Sequence, residues 1–203
     1  MRKIVVLSFV SLDGVMQAPG GPKEDLADGF AYGGWTFPYF DETLEKVMGD
    51  QMQPPFDLLL GRKTYEIFAA HWPRQNNETD LIAAGINHAH KYVVSRHEIE
   101  LSWNKSILIK GDVVEKIQKL KKQNGPMLQV QGSSQLIQTL LKNDLVDELW
   151  LKIFPVTLGV GKRLFGDGTI PAGFRLLESK VSLSGVIIAS YGRSGDVLTG
   201  SFV

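Results

Sequence analysis

Three short stretches of the sequence carry groups suited to holding an anion. Gly61-Arg62-Lys63-Thr64 follows the apolar run from Phe56 to Leu60 and opens a segment that reads as the first turns of a helix. Gly132-Ser133-Ser134 follows Met127 to Gln131 and opens the amphipathic stretch Gln135 to Leu141. A helix amino terminus offers unpaired N–H groups and the positive end of a macrodipole, while glycine lets a phosphate come close. Neither stretch is a P-loop or a G-x-G-x-x-G fingerprint, and a plain tight turn would use the same glycine. Two such junctions in one small chain suit the pyrophosphate of a dinucleotide. Ser95-Arg96, after the strand-like Tyr92 to Val94, adds a hydroxyl and a guanidinium. These suit a ribose 2′-phosphate, the group that separates NADPH from NADH, with a solvated arginine as the alternative.

The remaining polar groups are less directive. Asp13, in Ser11-Leu12-Asp13-Gly14, either serves a ligand or shapes the turn before the glycine. Asp147-Glu148 is an adjacent carboxylate pair that reads as structural. His88 and His90 would point about 200° apart on a helix, so no metal site is expected from the histidines. Basic and acidic residues balance at 22 each, which argues against a nucleic-acid or anionic-membrane partner. The absence of cysteine removes disulfides, thiolate ligands and a cysteine nucleophile together. No apolar stretch reaches the roughly 18 to 20 residues of a membrane span. The amino terminus reads as a strand and not as a signal peptide, which leads to the expectation of a cytoplasmic protein.

These groups need a scaffold of strands and helices to meet. The 203 residues suit one domain, 1–203. Ile4 to Val10 is apolar on both faces, as a central strand requires. A glycine-rich stretch from Gln17 to Trp35 reads as a long loop able to cover a ligand, followed by a helix from Tyr39 to Met48. Strands at 56–61, 91–95, 107–110 and 127–131 alternate with helices opening at Arg62, at 81–89, 113–122 and 135–141. After Asp147 the pattern turns to strands: Glu148 to Phe154, Phe174 to Leu177, a hairpin turning at Ser184-Gly185, and a last strand from Val197 to Phe202. The expected fold class is α/β, a mixed and mostly parallel sheet with helices on both faces and antiparallel strands at the carboxyl end.

Taken in order, several blocks resemble the dihydrofolate-reductase-like superfamily, above all stand-alone relatives of the reductase domain of riboflavin biosynthesis. They are Ser11-Leu12-Asp13-Gly14, Leu60-Gly61-Arg62-Lys63-Thr64-Tyr65-Glu66, Tyr92-Val93-Val94-Ser95-Arg96, Gln131-Gly132-Ser133-Ser134, and Leu145-Val146-Asp147-Glu148-Leu149 with Pro155, Leu158-Gly159, Gly161 and Leu164-Phe165. The resemblance implies an NADPH-dependent reductase of a small, pyrimidine- or pteridine-like substrate. It assigns the pyrophosphate to Gly61, Arg62, Lys63, Thr64, Gly132, Ser133 and Ser134, and the 2′-phosphate to Ser95 and Arg96. It also brings Asp13 near the substrate as the candidate catalytic residue, to bind a ring nitrogen or steer a proton relay, with Trp35, Phe40 and Asp41 as candidate substrate contacts.

Two departures bear on the substrate. The carboxylate that dihydrofolate reductases use for the pterin falls near Phe40, with Asp41 adjacent. Gln131 stands where riboflavin-pathway reductases usually carry an acid. A protein that binds a nucleotide without turning it over is therefore the alternative. The resemblance finally implies a homodimer through the carboxyl-terminal half, where Leu149, Trp150, Leu151, Ile153 and Phe154 are apolar on both strand faces.

Overall fold

A computed structural model describes residues 1–53 and 55–202. Its elements follow the order β1 (Ile4–Ser11), α1 (Glu42–Gln51), β2 (Phe56–Gly61), α2 (Arg62–His71), α3 (Leu81–His88), β3 (Lys91–Val94), β4 (Ser106–Ile109), α4 (Val113–Lys122), β5 (Met127–Val130), α5 (Ser134–Lys142), β6 (Glu148–Phe154), β7 (Gly173–Val181) and β8 (Ile187–Gly195). The strands form one sheet ordered β4-β3-β2-β5-β1-β6-β8-β7. The first six pair in parallel, and β6-β8 and β7-β8 are antiparallel. The mixed, mostly parallel sheet with late antiparallel strands is therefore present.

Strand alternation divides the core. Ile4, Val6, Leu59, Leu128, Val130, Leu149 and Leu151 face one side and pack with α4 and α5. Val5, Leu7, Leu58, Leu60 and Val93 face the other and pack with Tyr65 of α2 and Ile86 of α3. At the level of β2 and β5, which are neighbours, the two following helices thus leave to opposite faces of the sheet. A crevice opens beyond the carboxyl ends of strands where connections part in this way, and ligands of open α/β sheets bind there.

Two expectations change at the carboxyl end. Val197 to Phe202 forms no strand: β8 ends at Gly195, whose φ is +117°, and Leu198 and Phe202 lie fully exposed. Strand β7 is longer than Phe174 to Leu177 because pairing with β8, and not burial, defines it. The doubly apolar β6 lies between β1 and β8, so both its edges are paired within the chain; Leu149, Leu151 and Phe154 are buried, and Trp150 and Ile153 are half-buried. The antiparallel end of the sheet instead exposes Leu176, Leu177 and Val181 on the edge strand β7, Leu183 in the hairpin turn and Ile187 at the start of β8.

Candidate functional site

A cavity of about 1020 Å³ occupies this crevice, at the large end of the range for ligand pockets. All nine residues expected on the cofactor side line it: Gly61, Arg62, Lys63 and Thr64 where β2 meets α2, Ser95 and Arg96 after β3, and Gly132, Ser133 and Ser134 where β5 meets α5. The two helix-opening turns interlock. The N–H of Gly61 donates to the carbonyl of Gly132 at 3.1 Å, and the Gly132–Ser133 peptide is cis. A Cβ at Gly132 would stand 2.5 Å from Thr64 Oγ1, and one at Gly61 would stand 2.2 Å from Ser133 Oγ. The glycines thus let the two turns approach each other, which is a different use from the close approach of a ligand read from the sequence.

Helix capping separates this crevice from the rest of the fold. The amino termini of α1, α3 and α4 are capped by the carboxylates of Asp41, Asp80 and Asp112. Those of α2 and α5 have no side-chain cap, and both face the cavity. Their first N–H groups and dipole ends remain available to an anion, and a bound phosphate would do what a capping carboxylate does elsewhere. Arg62 pairs with Glu66 at 3.1 Å, and Lys63 lies 3.9 Å from Asp25. Arg96 is exposed and has no hydrogen-bond or ion-pair partner among the described residues. The Ser95 hydroxyl is already engaged, donating to the carbonyl of His97 at 2.8 Å and accepting from its N–H at 3.2 Å. Ser95 therefore shapes the turn that presents Arg96.

The long loop reaches the cavity through residues 17–20 and 24–27. Gln17 holds it, donating to the carbonyls of Asp25 and Ala27 and accepting from the N–H of Lys162. The Asp25 carboxylate also bonds Lys162. Burial opposes the charge on Asp25, but Lys162 and Lys63 hold its carboxyl below the ordinary value. Burial pushes the neighbouring Glu24 up, although it accepts the N–H of Gly20.

The candidate catalytic and substrate residues stand elsewhere. Asp13 is not on the cavity wall; its carboxylate accepts from Ser11 Oγ at 2.6 Å and from the N–H groups of Leu158 and Gly159 at 3.1 and 2.7 Å. The Ser11 hydrogen bond, with those two N–H groups, draws its pKa down to about 2, which suits a fixed acceptor and not a proton donor. Trp35 is buried, with Nε1 bonded to the Gln17 carbonyl and its ring edge-on to Phe154 at 5.3 Å. Phe40 packs edge-on to Phe9. Asp41 caps α1 through the Leu44 N–H and also accepts the Ser184 N–H. Trp35 and Asp41 spend their polar atoms on backbone groups and secure the loop, α1 and the β7-β8 turn, while Phe40 contributes ring packing alone.

Asp13 as a loop clamp has a pH signature. Asp13→Asn should lower thermal stability at neutral pH while leaving ligand binding in the cavity largely intact. Because folding depresses the Asp13 carboxyl, its contribution is full above the unfolded value near pH ~4 and is lost as pH falls toward 2. The melting difference between parent and variant, followed by calorimetry, should therefore shrink over that window. A constant difference would refute the clamp.

One residue on the cavity wall escaped the sequence reading. Lys152, in the middle of β6, points into the floor with Gln51, Met48, Met52, Phe9 and Gln131 nearby on the wall. The signal was present, since a lysine within a strand apolar on both faces breaks the pattern.

Comparison with known proteins agrees with this architecture. The chain belongs to the RibD C-terminal domain family, whose model matches residues 2–188. It is 29% identical over 198 residues to the uncharacterized protein YyaP of Bacillus subtilis (strain 168), covering 96% of each chain. A putative riboflavin biosynthesis protein from Shewanella sp. PV-4 superposes with a TM-score of 0.64 at 24% identity, over 95% of this chain and 99% of that one. A dihydrofolate reductase from Enterococcus faecalis, complexed with NADP(H) and RAB-propyl, gives 0.59 at 13% identity, over 94% and 96%. The fold is dihydrofolate-reductase-like, and family and fold together point to a reductase. No helix among the described residues is long and apolar enough to cross a membrane.

Proposed function

We propose that the chain is an NADPH-dependent oxidoreductase that reduces a small heterocyclic substrate. The observation that carries this reading is the pair of uncapped helix amino termini facing one cavity, while the other three α-helices among the described residues are capped by aspartates. The N–H groups of α2 and α5, with the hydroxyls of Thr64, Ser133 and Ser134, are suited to hold a pyrophosphate. Arg96, without other partners among the described residues, is suited to a 2′-phosphate. NADPH, when bound, supplies the hydride. The protein's part is to orient both reactants and to keep water out with the loop at residues 17–27.

Arg96→Ala tests the cofactor side. The variant should bind NADPH about 10- to 150-fold more weakly, the equivalent of roughly 1.5 to 3 kcal/mol for a hydrogen bond to a charge, with NADH affinity unchanged. Equal losses for the two cofactors, measured by fluorescence titration, would remove Arg96 from the 2′-phosphate site.

A homodimer remains part of the proposal, on a different surface from the one read in the sequence. Leu176, Leu177 and Val181 expose apolar area on the edge strand β7, a surface that two-fold pairing would cover. Light scattering at tens of micromolar should give about twice the 22.5 kDa chain mass. A constant mass near one chain would rule the pairing out.

A further inference from the structure

Lys152 is a buried cation with no counter-charge among the described residues. It pairs across the sheet with Phe9 of β1 and Ile188 of β8, and its residue is only 3% exposed. Its ammonium donates to Oε1 of Gln51 on α1 and lies 5.9 Å from the ring centroid of Phe9. An ammonium has three N–H donors, so two are unmatched by protein acceptors among the described residues. Burying a charge in this way is costly unless something pairs with it.

The other buried lysine among the described residues shows what compensation looks like. Lys91 stands 4.1 Å above the ring of Trp103 and donates to the carbonyls of Asn87 and Asn104. It does not border the cavity, whereas Lys152 does. The floor around Lys152 is otherwise neutral. Gln129 donates to the Gln51 carbonyl and Gln131 donates to Gln129 Oε1, while Met48, Met52 and Phe9 supply apolar wall. The carboxylates that border the cavity are Glu24 and Asp25 on the loop and Glu66 on α2, and none of them pairs with Lys152.

We propose that Lys152 is the substrate-recognition residue of this cavity, and that the substrate is a flat ring bearing a carbonyl or carboxylate oxygen that accepts the ammonium's free N–H bonds. This deepens the reductase reading and rests on it for the word substrate. The apolar wall takes the ring, and the cation fixes which edge points inward. A ring presenting an amidinium edge meets a like charge and is rejected, which agrees with the absence of Asp41 from the floor. Burial alone lowers the Lys152 pKa, to about 7. The elements packed against it present Phe9 from β1, Gln51 and Met48 from α1, Gln129 and Gln131 from β5, and Ile188 from β8, none of which titrates. An anionic ligand should therefore bind best below that pKa.

Benzoate, benzamide and benzamidine share one ring and differ in edge charge, and ligand-observed NMR of each with the purified protein tests the proposal. In the parent, benzoate should bind best and benzamidine should not bind. Benzoate affinity should fall as the solution passes from about pH 6 to about pH 9, a range in which the carboxylate itself keeps its charge. Lys152→Met, which keeps the packing, should weaken benzoate at least about tenfold and erase its advantage over benzamide. The parent pH series requires no variant to fold. Benzoate affinity that stays within about twofold across that pH range or in Lys152→Met, benzamidine binding equal to benzoate, or no binding of any probe would each overturn the proposal. NADPH titration of the same samples separates the two readings. Benzoate behaving as expected with no NADPH binding would sink the reductase and leave the Lys152 site, and the converse would sink Lys152 alone.

Discussion

Gly132→Val should destabilise the protein by about 2 to 6 kcal/mol and abolish nucleotide binding. The backbone at Gly132 has φ +142°, where a β-branched residue is strained by roughly 1 to 3 kcal/mol. The new Cβ would stand 2.5 Å from Thr64 Oγ1, and forcing extra atoms into a packed site adds roughly 1 to 3 kcal/mol. For a chain of this length that is a fall in Tm on the order of 5 to 20 °C. The first turns of α2 and α5 would be pushed apart, and with them the N–H groups that face the cavity. Adding Thr64→Gly should recover part of the stability, by removing the clash while the backbone strain stays. Gly61→Ala provides the contrast, because φ at Gly61 is an ordinary −74° and crowding against Ser133 is its whole cost. Calorimetry of the three variants checks this ordering, and a Gly132→Val protein that melts like the parent would refute it.

Asp57→Ala should cost about 3 to 5 kcal/mol without touching the cavity. Asp57, on β2, bonds the Arg2 guanidinium at a site where the two side chains are 8% and 2% exposed. Arg2 also donates to the Pro126 carbonyl at 2.7 Å, and Asp57 accepts the His90 N–H at 3.0 Å, so the pair ties the start of β1 to β2 and to the residues that lead into β5 and β3. Removing the carboxylate leaves a guanidinium buried and uncompensated, which is worse than removing both charges. Arg2→Met with Asp57→Leu should therefore be more stable than Asp57→Ala alone. Urea denaturation of the single and double variants measures the difference, and a single variant as stable as the parent would show the pair to be dispensable.

The parts of the fold set by local chemistry were legible in the sequence. Helix α4 begins and ends where read because Asp112 caps it and lysines crowd its last turn. Strand β6 was bounded by its apolar run, and the β7-β8 turn by Gly185, whose φ is +85°. What failed depended on tertiary neighbours. Val197 to Phe202 has strand-like residues, yet β8 already pairs on both sides and the segment carries no ladder of its own. Helix α1 starts at Glu42 and not at Tyr39, because Asp41 takes the cap and Phe37–Tyr39 forms a separate short turn.

In the site, the glycine-led turns could be found because a helix opening after a strand has a local signature. The fate of Asp13, Trp35, Phe40 and Asp41 could not. Their partners lie far along the chain, at Leu158 and Gly159 for Asp13 and at Ser184 for Asp41. Lys152 was hidden for the opposite reason: its strand was legible, but which face opens into a cavity depends on where α1 sits.

The crevice between β2 and β5 should hold a dinucleotide whose 2′-phosphate meets Arg96. Calorimetric titration of the unmodified protein with NADPH and with NADH tests it most directly. NADPH should bind with one site per chain and at least about tenfold more tightly than NADH. Equal affinities for the two, or no heat from either, would show that the crevice is not an NADPH site.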